Sequence, residues 1–282
     1  MKPRIKIYDK IFAHTHTMSN GHQKIVPDNF TWYRGNENTD IAFYTDFSLL
    51  DVDKNREKHK YNIALLMESP GVFSGAYNQI KEIEDKFDYI FTFDSELLNR
   101  GENYIGYSLG GTWIPPKDWA VYNKTKFVSM ISSDKNATYG QSLRHSVKSK
   151  LNHRVDIFGE ISRSPIKNKL DGLKDYMFSI VTENCDKDGY FTEKLIDCFL
   201  TGTIPIYFGC KKVNDLFHGM GMIRFNSIEY LESILKPNST MVTTEAYEDS
   251  LTHIAENFLL AKKWYTMPEK EIGLKLQVLR LI

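Results

Sequence analysis

Eight short apolar runs punctuate the chain: Ile41 to Phe43, Ile63 to Met67, Tyr89 to Phe93, Phe127 to Ile131, Val155 to Phe158, Met177 to Val181, Ile204 to Phe208 and Met222 to Phe225. Consecutive rather than alternating apolar positions predict strands buried on both faces, as in parallel sheets. The stretches between them are polar or helically spaced, and such β/α alternation predicts an α/β fold with helices on both sides of each sheet. Leu143, Val147 and Leu151 keep helical spacing, as do Tyr247, Leu251, Ile254, Phe258 and Leu259 within 244–263, and a further amphipathic helix is expected after Pro268. Paired prolines and tryptophans interrupt the pattern in TWIPPKDWAVYNKT, residues 112–125, so two Rossmann-like domains are expected, 1–118 and 119–282.

The densest pattern is YMFSIVTENCDKDGYFTEKLIDCFLTGTIPIYFG, running from Tyr176 to Gly209. A buried strand stops at Thr182, Glu183 and Asn184, and Gly189 breaks the chain. Thr192 is placed to N-cap a helix through Glu193, Lys194, Leu195, Ile196, Cys198, Phe199 and Leu200, which Gly202 closes. A strand from Thr203 to Phe208 follows, with Pro205 near its start. In open α/β sheets ligands lie beyond the carboxyl ends of strands. That position here carries Asn184, Tyr190, Thr192, Glu193 and Lys194. A lysine in the first helical turn conflicts with the helix dipole, and a phosphate ligand resolves the conflict. The competing reading, at even odds on position alone, is that Glu193 and Lys194 form a solvated face.

Composition narrows the classes. The 282 residues contain 36 Lys plus Arg and 36 Asp plus Glu, so no global field recruits nucleic acid or an acidic membrane. The three cysteines, Cys185, Cys198 and Cys210, argue against a disulfide framework and for a reducing, cytoplasmic setting. The N-terminal residues lack the apolar run of a signal peptide or anchor, so a soluble chain with no integral membrane segment is expected. There is no GxGxxG; GYSLGG at 106–111 fails the spacing, which removes the main support for a dinucleotide oxidoreductase.

Glu183-Asn184, then Tyr190-Phe191-Thr192-Glu193-Lys194, then Ile204-Pro205-Ile206-Tyr207-Phe208-Gly209 resemble, in order and spacing, the donor motif of the α-1,3-fucosyltransferase family, glycosyltransferase family 10. Thr182 stands where that family commonly has Phe. The resemblance implies a GT-B fold, two Rossmann-like domains facing across a cleft, the first binding the acceptor and the second the donor. It implies an inverting, metal-independent transfer of L-fucose from GDP-fucose to a glycan hydroxyl. Its partners would be a nucleotide sugar and an oligosaccharide acceptor, with no cofactor required. The alternatives are a transferase of the same fold using another nucleotide sugar, and a sugar-nucleotide or glycan-binding module without turnover.

Inverting transfer needs a base for the acceptor hydroxyl and cations for the leaving diphosphate. Glu68 follows the apolar strand Ile63 to Met67, where desolvation favours a basic carboxylate, and Glu68-Ser69-Pro70 resembles the segment that bears the family's proposed base. The other reading is a turn cap at Ser69-Pro70. Asp94 is the fallback, although it suits the N-cap of a helix at Ser95 better. Arg144, early in the helix through Leu143, is the expected diphosphate-binding arginine beside Lys194, with Arg154 and Arg163 as neighbours in sequence. Asn184 and Glu193 would hold sugar or ribose hydroxyls, with Tyr190 alongside. Asp51-Val52-Asp53 and Asp186-Lys187-Asp188 match the Asp-x-Asp signature of metal-dependent transferases but read as solvated loops. His14, His16 and His22 form a tempting metal cluster with a low prior; with Trp32 and Tyr33 they could line an acceptor cleft instead.

Overall fold

The computed structural model describes residues 2–10, 27–265 and 267–282. Met1–Leu109 with Thr266–Ile282 form one unit, and Gly110–Tyr265 the other. In the first, β1 (Arg4–Tyr8), β2 (Thr31–Tyr33), β3 (Ile41–Thr45), β4 (Tyr61–Leu65), β5 (Tyr89–Thr92) and β6 (Tyr104–Gly106) pair in the order β2-β1-β3-β4-β5-β6. Every neighbouring pair is parallel. Helices α1 (Val52–Asn55), α2 (Ser74–Ile83) and α3 (Ser95–Leu98) belong to the connections.

In the second unit β7 (Lys126–Ile131), α4 (Tyr139–Leu151), β8 (Asp156–Phe158), β9 (Tyr176–Thr182), α5 (Glu193–Phe199), β10 (Ile204–Phe208), β11 (Ile223–Arg224) and α6 (Ile228–Ile234) follow in turn. The sheet order is β11-β10-β9-β7-β8, again all parallel. Strand β9 is central and buried at all seven positions, which is why its sequence is mostly apolar, with Ser179 and Thr182 as its small polar members. Leu143, Val147 and Leu151 of α4 join Val128, Met130, Phe178, Ile180 and Ile206 in the core. The chain leaves β7 toward β8 on one side and re-enters at β9 on the other. The crevice favoured for ligands therefore opens at the carboxyl ends of β7 and β9.

Lys124, just before β7, is buried and acts as a polar rivet. Its ammonium donates to the carbonyls of Leu173, Lys174 and Thr201 and to Thr203 Oγ1, at 2.7 to 3.3 Å. Burial pushes its pKa down to about 7.

All eight apolar runs overlap a strand, but three strands escaped the pattern. In β1 the charged Arg4 and Lys6 alternate with isoleucines, and Lys6 is nonetheless buried, its ammonium bonded to the Gly35 carbonyl and lying 5.0 Å from the centre of the Tyr8 ring. β2 and β6 have three residues each, too few to show a period. The expected helix over 244–263 is two, α7 (Thr244–Asp249) and α8 (Leu251–Ala261), separated at Ser250, whose hydroxyl bonds the Ala246 carbonyl. The break re-aims the second helix, so Leu251 and Leu259 are exposed while Ile254, Asn257 and Ala261 are buried.

The observed division also departs from an expected 119–282 second domain. Helix α9 (Met267–Val278), with Pro268 in its first turn, belongs with the first unit. Ile272 and Leu276 are fully buried there, and Glu271 accepts the backbone N–H of Ser108. Sequence adjacency to α8 hid this, since the return of a chain to its first domain leaves no local signal.

Candidate active site

Beyond the last residue of β9, Glu183 is completely buried. Its carboxylate accepts from the Thr192 backbone N–H at 2.8 Å, the Thr192 hydroxyl at 2.9 Å and Lys194 Nζ at 3.3 Å. Thr192 also N-caps α5, accepting from the Lys194 backbone N–H. The strand end and the helix start are thus locked by one acid and one threonine, and the intervening loop is pinned at both ends.

Arg144 on α4 is buried against the same strand end. Its Nε donates to Thr182 Oγ1 at 2.7 Å and Nη2 to the Thr182 carbonyl at 2.6 Å, with Asn184 Oδ1 at 3.4 Å. Thr182, the departure from the family pattern, thereby supplies an acceptor that Phe could not. Burial lowers the guanidinium's pKa, and Glu183, Glu193 and Tyr190 pull it back up. Asn184 bridges Gln141 at 3.3 Å and the Tyr190 hydroxyl at 3.4 Å.

Lys194 Nζ donates to Thr192 Oγ1 at 2.8 Å and lies 3.6 Å from Glu193 Oε1. Glu193 pairs with Lys169 at 3.1 Å, and Lys169 reaches Asp197 Oδ2 at 3.3 Å. Burial pushes the Glu193 carboxyl up, but Lys169 and Lys194 outweigh it and hold the group well below the usual carboxylate range. For Asp197 burial wins over Lys169, and its pKa stays above the ordinary value. Asp197 is held by the Thr112 hydroxyl at 2.6 Å and the Trp113 N–H at 2.9 Å.

These groups border a cavity of about 200 Å³ at the carboxyl ends of β7 and β9, lined by Ser132, Ser133, Thr182, Arg144, Lys169, Lys194 and Asp197 among others. Three of its charged linings are cations and one is an acid. Two of the three N–H groups of Lys194 are committed to Thr192 and Glu183, which leaves donor capacity for an anion. With seven residues, α5 is short, so the side-chain cations outweigh its dipole as the source of positive field.

The second unit therefore brings together Arg144, Asn184, Tyr190, Glu193 and Lys194. Arg154 instead donates to the Leu235 carbonyl, and Arg163 has a left-handed backbone after a short turn. Lys169 and Asp197 were missed. Lys169 opens a short 3-10 helix, Lys169–Gly172, that carries no motif, whereas Asp197 had a readable signal as an acid between Ile196 and Cys198 on an apolar helix.

Glu68 lies in the first unit, half-buried, three residues past β4. Its N–H and that of Met67 donate to Asp46, and its carbonyl accepts from the Tyr77 hydroxyl at 2.7 Å. Asp46 is the fully desolvated acid of this corner, its pKa pushed up to about 7 by burial. Asp94 caps α3 through the N–H groups of Glu96 and Leu97. Both Asp-x-Asp pairs meet lysines: Asp51 with Lys10, Asp53 with Lys86, Asp186 with Lys211 and Asp188 with Lys212. Trp32 packs edge-on against Phe30 and Phe43. His14, His16 and His22 lie outside the described residues.

Residues 121–238, which hold all five of these donor candidates, match the family described as glycosyltransferase family 10 (fucosyltransferase), C-terminal. That segment is thus similar to the family 10 glycosyltransferases. The α-(1,3)-fucosyltransferase FucT of Helicobacter pylori is 29% identical over 148 residues, which are 50% of this chain and 30% of that protein. A solved α1,3-fucosyltransferase with GDP superposes with a TM-score of 0.56 at 17% identity, covering 94% of this chain and 90% of that one. The same coverage and identity hold for an α1,3-fucosyltransferase with GDP-fucose, at a TM-score of 0.52. That likeness shows the fold, two parallel-sheet α/β domains of the GT-B class. No helix among the described residues is long and apolar enough to cross a membrane.

Proposed function

We propose that this chain is an inverting glycosyltransferase that moves L-fucose from GDP-fucose to a hydroxyl of a glycan acceptor. The observation that carries the reading is the cavity at the β7/β9 switch point, bordered by Arg144, Lys169 and Lys194 inside the segment that matches family 10. Three converging cations suit a diphosphate, whose charge grows as the sugar departs. The relatives' complexes with GDP and GDP-fucose point to the same ligand class.

In this reading Lys194 and Arg144 hold the diphosphate oxygens, with Lys169 beside them. The Glu183–Thr192 lock keeps Lys194 in place, so no reorganisation is needed as charge develops. Asn184 and Tyr190 contact the nucleoside or sugar hydroxyls, and Glu193 orients Lys194 and Lys169. Glu68 takes the proton of the acceptor hydroxyl, which attacks the anomeric carbon opposite the leaving group. No metal ion or cofactor is required, since the cations are supplied by side chains.

A thermal-shift panel of GDP-fucose, GDP-mannose and UDP-sugars tests the donor, with stabilisation expected from GDP-fucose foremost. Glu68→Gln is expected to lower turnover by about 100-fold or more while leaving donor affinity in place. Donor hydrolysis that survives Glu68→Gln unchanged removes Glu68 from the base role.

A further inference from the structure

Apart from the residues that line that cavity, a second constellation stands in the same unit. His253 and Glu256 lie three apart on α8, and His218 approaches from the turn before β11. His253 Nδ1 is 3.1 Å from Glu256 Oε2 and His218 Nδ1 is 3.6 Å from the same oxygen. One ligand atom from each of the three residues falls within 4.8 Å of the others. A tetrahedral zinc ion with bonds of about 2.0–2.2 Å keeps its ligand atoms about 3.3–3.6 Å apart, close to the observed spacings of 3.1 and 3.6 Å.

His218 is not a loose surface side chain that happens to drift near α8. The fully buried Asn257 clamps its backbone, accepting from His218 N–H at 2.8 Å and donating to its carbonyl at 3.0 Å. Close approach of the turn requires Gly221, where a Cβ would lie 2.4 Å from Asn257 Nδ2. The two imidazoles face each other with ring centres 5.9 Å apart and planes 29° from parallel. A half-exposed carboxylate between two imidazoles, on a clamped backbone, is the donor set of a three-ligand zinc site whose fourth position is water.

We propose that His218, His253 and Glu256 form a three-ligand zinc site, completed by water, that fastens the 213–221 turn to α8. The residue before His218, Phe217, is buried with its ring 6.0 Å from Phe191 and 4.8 Å from Phe199. Phe191 immediately precedes Thr192, so the ion would fix the apolar floor beneath the 190–194 segment. This inference is independent of the transferase reading, because the ion touches none of the groups that line the cavity.

The test uses the full chain, stripped with a chelator and titrated with Zn²⁺ against a chromogenic competitor, beside His253→Ala and Glu256→Gln. All three residues are partly exposed, and a circular dichroism spectrum of each variant checks folding. The wild type is expected to hold a zinc equivalent that both variants bind at least about tenfold more weakly, since loss of a ligand costs no less than loss of its support. Zinc is also expected to raise the melting temperature of the wild type but not of His253→Ala, and Co²⁺ to give tetrahedral d–d absorption in the wild type alone. Failure of the wild type to bind zinc at micromolar concentration overturns the proposal. Equal binding by wild type and both variants overturns it as well, by placing the ion elsewhere on the chain.

Discussion

A methyl group on Gly140 would sit 1.7 Å from the carbonyl oxygen of Glu183. The first turn of α4 thus presses on the backbone where β9 ends, and that approach brings Arg144 within reach of Thr182. Helix propensity favours Gly→Ala inside a helix by about 1 kcal/mol, but steric overlap with main chain reverses the sign here. Gly140→Ala is expected to destabilise the protein by about 1–3 kcal/mol in chemical denaturation. A stability equal to or above wild type would show that α4 does not hold Arg144 by this contact.

How much of this was legible in sequence follows from what is local. The strands buried on both faces announced themselves, because no polar position in β9 or β10 needed water. Thr192 and the Glu183-to-Lys194 spacing were readable for the same reason, as a strand end and a helix cap lie within one loop. β1 was hidden by Lys6, a buried cation that sequence reads as solvent-facing, and α9 by its return to the first unit. Lys169 and Asp46 act through contacts with residues distant in sequence, and nothing around either residue predicts them.

Lys124 makes a different demand on the second unit. Replacing it by Met leaves the carbonyls of Leu173, Lys174 and Thr201 without their shared donor. Unsatisfied buried groups cost about 1–3 kcal/mol each, partly relieved by relaxation, so Lys124→Met is expected to cost about 3 kcal/mol. A urea midpoint unchanged from wild type would exclude the rivet role.

Asp46 carries a pH signature. Its folded pKa is raised to about 7, above the unfolded carboxyl value, so between about pH 4 and 7 the folded state binds more protons. Its contribution to stability is therefore fully present below the unfolded value and is lost as pH rises through 7. Asp46→Asn removes that slope, and denaturant midpoints at pH 5 and pH 8 should show the variant gaining on the wild type as pH rises. A wild-type-to-variant gap that is constant across this window would contradict a buried, proton-retaining Asp46.

Lys169 separates a functional cation from a structural one. Lys169→Met leaves Glu193 and Asp197 as adjacent buried acids, free to repel both each other and a diphosphate. GDP affinity is expected to fall about 10- to 100-fold, the worth of a charge-assisted contact. Loss of stability with unchanged GDP affinity would confine Lys169 to an ion-pair role.

Lys194, held by Glu183 and Thr192, is the residue proposed to grip the donor's diphosphate. Calorimetric titration of GDP-fucose into the wild type and Lys194→Ala measures it directly. Donor binding is expected in the wild type, with a Kd weaker by about 10- to 100-fold in the variant. Equal affinity in a folded Lys194→Ala protein would contradict it.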